Sequence, residues 1–261
     1  MSETFTAGEL ERYARHIIMR EIGGPGQRRL QGAKVLVVGA GGLGSPALIY
    51  LAAAGVGTIG IVDDDVVSLS NLQRQIIHAT ARVGAPKVES AKGAMHALNP
   101  HVVVRPHRTR VTEENAEALI KPYRLIIDGS DNIETRYILN RACVARGATL
   151  ISAAITQWEG QVSVFKPWED EPCYACVFPE PPREGQALSC AAGGVLGPLA
   201  GVMGSMIAVE AIKDIALSGR PLKGRMLVYN ALDGESRTFE VEKRKGCPVC
   251  DVKRNPQAAA G

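Results

Sequence analysis

Val37-Val38-Gly39-Ala40-Gly41-Gly42-Leu43-Gly44-Ser45 is the stretch on which the fold turns. Before it, Lys34–Val38 is a short, apolar, β-branched run that reads as a buried strand. After it, Ser45–Ala54 reads as a helix. A glycine-rich turn between strand and helix is suited to phosphate. Glycine lets the backbone approach closely, and a helix N-terminus offers unpaired N–H groups with partial positive charge. Taken alone, G-x-G-x-x-G suggests a dinucleotide site.

Outward from this turn the chain alternates. Strands are predicted at Lys34–Val38, Thr58–Val62, Val102–Pro106, Arg124–Ile127 and Thr149–Ser152. Helices are predicted at Ser45–Ala54, Pro86–Leu98, Thr112–Leu119 and Ile133–Arg146. Such alternation implies an α/β fold, a Rossmann-like, mostly parallel sheet with helices on both faces. Beyond residue 155 the pattern changes. Gln161–Phe165, Arg225–Tyr229 and Ser236–Val241 read as antiparallel strands, with an apolar helix from about Leu196 to Ala216 between the first two. Upstream, Thr6–Met19 reads as an amphipathic helix with Leu10, Tyr13, Ile17 and Ile18 on one side, and Gly23-Gly24-Pro25-Gly26 reads as a chain break. The expected organisation is an N-terminal helical arm (1–30), a Rossmann-like nucleotide-binding region (31–155), an antiparallel-sheet region of the same compact domain (156–254) and a disordered tail (255–261). Pro179–Gly185 reads as a flexible loop.

The residues downstream of the turn refine its ligand. Asp63 ends the second strand, where an acidic residue meets a ribose hydroxyl; an NAD site and an ATP site both want it there. Asp64 and Asp65 crowd beside it and must be solvated or paired. Ser68-Leu69-Ser70-Asn71-Leu72-Gln73-Arg74-Gln75 is a polar segment for which a dehydrogenase has no need. Its Asn71 and Arg74 suit a triphosphate, whose transferring phosphorus needs charge neutralisation, although a polar surface helix would read the same way. Pro86 suits the start of a helix, but Lys87 beside it opposes the helix dipole unless an anion compensates. Asp128-Gly129-Ser130-Asp131-Asn132 follows an apolar strand, at the carboxyl end where ligands of open parallel sheets bind. Asp131 is placed to hold magnesium, a hard cation that favours carboxylates and phosphates, while Ser130 suits a helix N-cap.

Arg12-Tyr13-Ala14-Arg15-His16, the Gly39–Gly44 turn, Asp63, Ser70-Asn71-Leu72-Gln73-Arg74-Gln75, Pro86-Lys87, Asp131-Asn132 and Arg136 stand in the order seen in the MoeB/ThiF adenylyltransferases, bacterial relatives of the ubiquitin-activating enzymes. The chain resembles that family from about Gly8 to Cys250. The resemblance implies ATP- and magnesium-dependent activation of the C-terminal glycine carboxylate of a ubiquitin-like sulfur carrier, giving an acyl-adenylate and pyrophosphate. It implies a nucleotide site built from Gly39, Gly41, Gly42, Gly44, Asp63, Asp65, Ser70, Asn71, Gln73, Arg74, Lys87, Ser130 and Asp131. It also implies a homodimer in which Arg15 reaches the triphosphate of the other subunit. The attacking carboxylate is ionised at neutral pH, so no general base is required and catalysis reduces to positioning and charge neutralisation.

The six cysteines divide. Cys173-x-x-Cys176 and Cys247-x-x-Cys250 are two matched hooks of the kind that hold a tetrahedral structural zinc; disulfides are the alternative. Met1–Leu10 has no apolar signal segment, which points to a reducing, cytoplasmic location and so to zinc. Cys143 reads as core. Cys190 reads either as a small buried residue or as a loop thiol able to take up an acyl or persulfide group, and some members of the family use a cysteine at this Leu-Ser-Cys position in sulfur transfer. The chain ends soon after Cys250, so a rhodanese-like sulfur source is expected on a separate protein.

Length and composition set the outer bounds. The 261 residues are 46% apolar and 22% charged with net charge +3, ordinary for a globular chain and no argument for nucleic acid or a membrane surface. Ala187–Val209 is uncharged and long enough to cross a bilayer, but its glycines and Pro198 read instead as a loop followed by a buried helix. The rival functions are an NAD(P)-dependent oxidoreductase and an inactive scaffold half of a heterodimer. The first leaves Asn71–Gln75, Lys87 and Asp131 without roles, and the second tends to lose them. Glu171-Pro-Cys-Tyr-x-Cys and Ala187-Leu-Ser-Cys lean towards a molybdopterin-pathway carrier over a thiamin-pathway one.

Overall fold

The computed structural model describes residues 5–181 and 193–251. Cys190, the end of the Pro179–Gly185 loop, the start of Ala187–Val209 and the tail 255–261 lie outside the described residues. Eight strands form one continuous sheet: β1 (Lys34–Val38), β2 (Thr58–Val62), β3 (Val103–His107), β4 (Leu125–Asp128), β5 (Thr149–Thr156), β6 (Glu159–Phe165), β7 (Arg225–Asn230) and β8 (Glu235–Glu240), in the order β3-β2-β1-β4-β5-β6-β7-β8. The first five are parallel, and the pairs from β5–β6 to β7–β8 are antiparallel. The strand order reverses between β1 and β4, which opens a crevice at their carboxyl ends.

Both faces of the parallel half are covered. Val35 and Val37 of β1 point into one core, with α3 (Gly44–Ala53), α4 (Lys87–Leu98) and the twenty-residue helix at Gly197–Ala216. Leu36 and Val38 point into the other, with α5 (Glu113–Ile120) and α6 (Ile133–Arg146). Period-two alternation therefore buries apolar side chains on both sides, and β1 reads as a continuous apolar run. Cys143 of α6 is buried in the second core, where burial pushes its thiol far up. No helix among the described residues is long and apolar enough to cross a membrane.

One expectation at the N-terminus is corrected. Gly23-Gly24-Pro25-Gly26 opens a helix, α2 (Gly23–Gly32), instead of breaking the chain. The first-turn N–H groups of a helix have no intrahelical partner, so Pro25 there costs no hydrogen bond. The first helix, α1 (Ala7–Ile17), is capped by Thr6 and Glu9 in a reciprocal capping box. Of its expected apolar face, Tyr13 is buried, accepting from Asn99 Nδ2 at 2.9 Å, while Leu10 is 47% and Ile18 72% exposed.

Candidate functional site: a polar cavity at the carboxyl ends of β1, β2 and β4

A cavity of about 740 Å³ lies in the crevice. That volume is in the range of small-molecule sites. The glycine turn forms one wall. Gly39 has φ +92°, and its N–H donates to Val62 O at 2.8 Å. A Cβ at Gly44 would run into the carbonyl of Gly39, so the strand can turn this sharply into α3 only with glycine there. Gly44 thus shapes the turn without lining the cavity, whereas Gly39, Gly41 and Gly42 line it.

Asp63 sits where β2 ends. Its Oδ2 accepts from Ala40 N at 2.8 Å and its Oδ1 from Asp65 N at 2.9 Å, which fixes the carboxylate beside the turn. Lys87, at the start of α4, is 5% exposed and donates to Asp65 Oδ2 at 2.7 Å. The anion that compensates this cation is therefore a carboxylate of the protein's own, held at the cavity wall. Arg74 also lines the cavity, its Nη1 donating to Ser70 O at 3.3 Å. Ser70, Asn71 and Gln73 are not among the lining residues. Asn71 instead takes part in the turn that presents Arg74, whose N–H donates to Asn71 O at 3.1 Å. Arg15 is exposed on α1 and does not line the cavity either.

On the opposite wall the loop after β4 carries Ser130 and Asp131. The N-cap of α6 is Asn132, whose side chain accepts from Thr135 N at 3.1 Å; Ser130 does not serve as the cap. Ser130 is turned inward, donating through Oγ to Asp128 Oδ1 at 2.7 Å. Asp131 remains exposed at the cavity. Magnesium binds through one or two carboxylates together with waters and substrate phosphates, so an exposed carboxylate lining the same cavity as the glycine turn fits that ion, as does the group of Asp63, Asp64 and Asp65 on the other wall.

Asp128 and Gln75 stand in the quoted motifs without a role of their own and His78 stands in none, yet all three lie at or beside the cavity. Asp128 is fully buried, accepts from Ser130 and from Ser152 Oγ (2.8 Å), and lies 3.7 Å from Arg136 Nε. Its only sequence signal was a carboxylate closing an apolar strand. Gln75 is 5% exposed, lines the cavity beside Gly41, and its Oε1 has no partner among the described residues. Buried amide oxygens are normally paired, so this one is available to a ligand. His78 is 8% exposed and bonded through both ring nitrogens. Burial pushes its imidazole below the ordinary value, outweighing the opposing bond to Ala40.

Away from the cavity, Cys173, Cys176, Cys247 and Cys250 converge with all their sulfurs within 4.8 Å of one another. Neighbouring Sγ atoms are 3.9, 3.8 and 3.4 Å apart, too far for disulfides. A tetrahedral zinc with Zn–S near 2.3 Å has sulfur edges of about 3.8 Å, so donor set and spacing fit that metal. Burial pushes the Cys173 thiol up to about 11. At Cys247 burial acts the same way, but N–H groups of Cys250 and Val249 bring the thiol down to about 7. Asn140 of α6 supports the cluster from outside, donating to Cys173 Sγ at 3.6 Å and accepting from Tyr174 N at 3.0 Å. Arg136 stands one turn earlier on the same helix, so α6 reaches both the cavity and the cysteines.

A strand, glycine turn and helix, with a carboxylate ending the next strand and cations facing the crevice, define a nucleotide-binding protein of Rossmann type. The chain belongs to the ThiF family, whose model matches residues 13–249. It is 47% identical over 250 residues to the sulfur carrier protein adenylyltransferase of Thermus thermophilus, covering 94% of this chain and 92% of that one. It is also 47% identical over 250 residues to the SAMP-activating enzyme E1 of Haloferax volcanii, covering 96% and 92%. The probable adenylyltransferase/sulfurtransferase MoeZ of Mycobacterium tuberculosis is 50% identical over 245 residues; the match covers 92% of this chain and 62% of that longer protein. Among solved structures, PaaA superposes with TM-score 0.80 at 24% identity, covering 94% of this chain and 77% of that one. E. coli MccB with MccA-N7isoASN gives 0.79 at 21%, covering 92% and 74%. At these identities the likeness is one of fold.

Proposed function

We propose that this protein uses ATP and magnesium to adenylate the C-terminal glycine carboxylate of a ubiquitin-like sulfur carrier protein, releasing pyrophosphate. The observation that carries the reading is the single cavity that gathers the glycine turn, Asp63, Arg74, Lys87 and Asp131 and runs on to Thr156, Glu159 and Gln161 at the β5–β6 turn. The names of the Thermus and Haloferax relatives support the same chemistry.

In this reading Asp63 holds the ribose, and the turn with the N-terminus of α3 cradles phosphate. Arg74 and Lys87 neutralise charge as the α-phosphorus is attacked, with Lys87 exchanging the Asp65 carboxylate for phosphate oxygens. Asp131 holds magnesium, which supplies further charge neutralisation on the phosphates. Ser70, Asn71 and Gln73 act by shaping the segment that presents Arg74. The carrier's carboxylate displaces pyrophosphate, and the acyl-adenylate remains in the cavity.

The protein works as a homodimer in which Arg15 of one subunit serves the site of the other; its exposure with Leu10 and Ile18 on one short segment supports this. Zinc at the four cysteines is structural. Cys190 takes part only after adenylation, in sulfur transfer, with the sulfur coming from a separate donor protein. An ATP site and reduced thiols support a cytoplasmic setting. The preferred carrier is of the molybdopterin pathway, with a thiamin-pathway carrier as the second reading. ATP–pyrophosphate exchange against purified carriers with Gly-Gly tails tests this. The MoaD-like carrier is expected to give the fastest exchange, and faster exchange with a ThiS-like carrier would transfer the assignment.

A further inference from the structure

We infer that His78 is a positioning residue for the nucleotide, clamping the glycine turn to the helix that carries Lys87. The inference rests on the ATP reading above. His78 Nε2 lies 2.9 Å from the carbonyl oxygen of Ala40, and Nδ1 lies 2.9 Å from Ser90 Oγ. A carbonyl only accepts, so Nε2 carries the proton and donates. In the neutral ring Nδ1 is then a lone pair that accepts from the Ser90 hydroxyl. Burial favours that neutral form. The environment therefore selects one tautomer and one orientation of the ring.

The two partners belong to the two sides of the phosphate site. Ala40 is the second residue of the turn, and both of its backbone groups are held by side chains: its N–H by Asp63 at 2.8 Å and its C=O by His78. Gly41 and Gly42, which follow it, line the cavity. Ser90 lies on α4 three residues after Lys87, hence on the same side of the helix. One imidazole thus ties the phosphate-facing backbone to the lysine helix. A buried apolar side chain would fill the same space without fixing either distance. A site whose two walls are already in register loses less freedom when the ligand arrives, and that difference is read in affinity.

The test separates the two nitrogens. Glutamine can place an amide N–H near the Nε2 position, whereas asparagine can place one only near Nδ1. Binding of magnesium α,β-methylene-ATP is measured by calorimetry on the full-length protein, with melting temperatures alongside. His78→Asn is expected to weaken binding by about tenfold, the effect of one lost hydrogen bond, and His78→Gln to restore it to within about threefold of wild type. Ser90→Ala, which releases the tautomer but spares the Ala40 contact, is expected to weaken binding by about threefold with the fold intact, and this holds the test open if His78→Asn does not fold. Equal binding by His78→Asn and wild type, equal losses in the Asn and Gln variants, or unchanged binding in Ser90→Ala would overturn the inference and leave the ATP reading standing. A wild type that does not bind the analogue would overturn the ATP reading, and the inference with it.

Discussion

The cavity and the cysteine cluster both collect residues from distant parts of the chain, but they treat their polar groups in opposite ways. At the cluster, four sulfurs from two short hooks face one another, with Asn140 closing the outside. At the cavity, charges arrive from the ends of four elements and face open space. Asp131 is exposed, and Lys87 is paired to an Asp65 that is itself solvent-facing. A closed set of donors holds a fold together, whereas an open set is arranged for something that comes and goes. The two regions should therefore separate cleanly under mutation, the first affecting stability and the second affecting chemistry.

The largest effect is expected at the cluster. Stripping zinc with a chelator, or Cys247→Ala, should lower the melting temperature by roughly 10 °C or more, because metal binding there is also folding free energy. Metal analysis of the freshly purified protein should give one zinc per chain; a metal-free protein with an unchanged melting temperature would break the contrast. Next come Arg74→Ala and Asp131→Ala. Each should reduce carrier-dependent pyrophosphate exchange by about a hundredfold or more while leaving the melting temperature near wild type. Loss of the fold in either variant would mean that the cavity's charges are structural after all.

Asp128→Asn sharpens the comparison because Asp128 belongs to both categories. It is buried like a structural residue, yet its partners Ser130 and Arg136 line the cavity. Asparagine keeps one acceptor oxygen but removes the charge to which Ser130 and Ser152 donate, for a cost of about 2 kcal/mol in denaturant unfolding, and it should weaken nucleotide binding as the loop before Asp131 loosens. The smallest effect is a pH dependence. His78 titrates below its ordinary 6.5 in the folded protein because burial disfavours the cation. As pH falls below 6.5 the unfolded chain takes up this proton before the folded one, so stability is full above that value and declines as pH falls below it, until the folded protein takes up the proton as well. His78→Gln should flatten this decline in melting temperature.

What was legible in the sequence follows the same division. The β1–turn–α3 unit was legible because Gly39, Gly44 and the apolar run before them act locally, and Lys34–Val38, Thr58–Val62 and Ile133–Arg146 match the observed elements residue for residue. The two Cys-x-x-Cys hooks were legible for a related reason: the spacing itself encodes convergence on one centre. Asp128, Gln75 and His78 were not, because nothing within a few residues says that a polar side chain will be buried; only the reversal of strand order between β1 and β4 makes it so. Lys87 stood out as a cation in the wrong place, but its partner Asp65 is supplied by a different loop. The glycines at 23–26 misled because the same residues that end a helix can start one when the unpaired first turn absorbs the proline.

The central claim is that the cavity activates a carrier's terminal carboxylate with ATP, and one assay addresses it directly. Pyrophosphate exchange into ATP is measured with the wild-type protein and a reacting carrier, then with the same carrier lacking its last glycine. Exchange that depends on the intact tail is the predicted result. No exchange with any Gly-Gly-tailed carrier, together with tight binding of NADH and none of ATP, would contradict it and return the glycine turn to its dinucleotide reading.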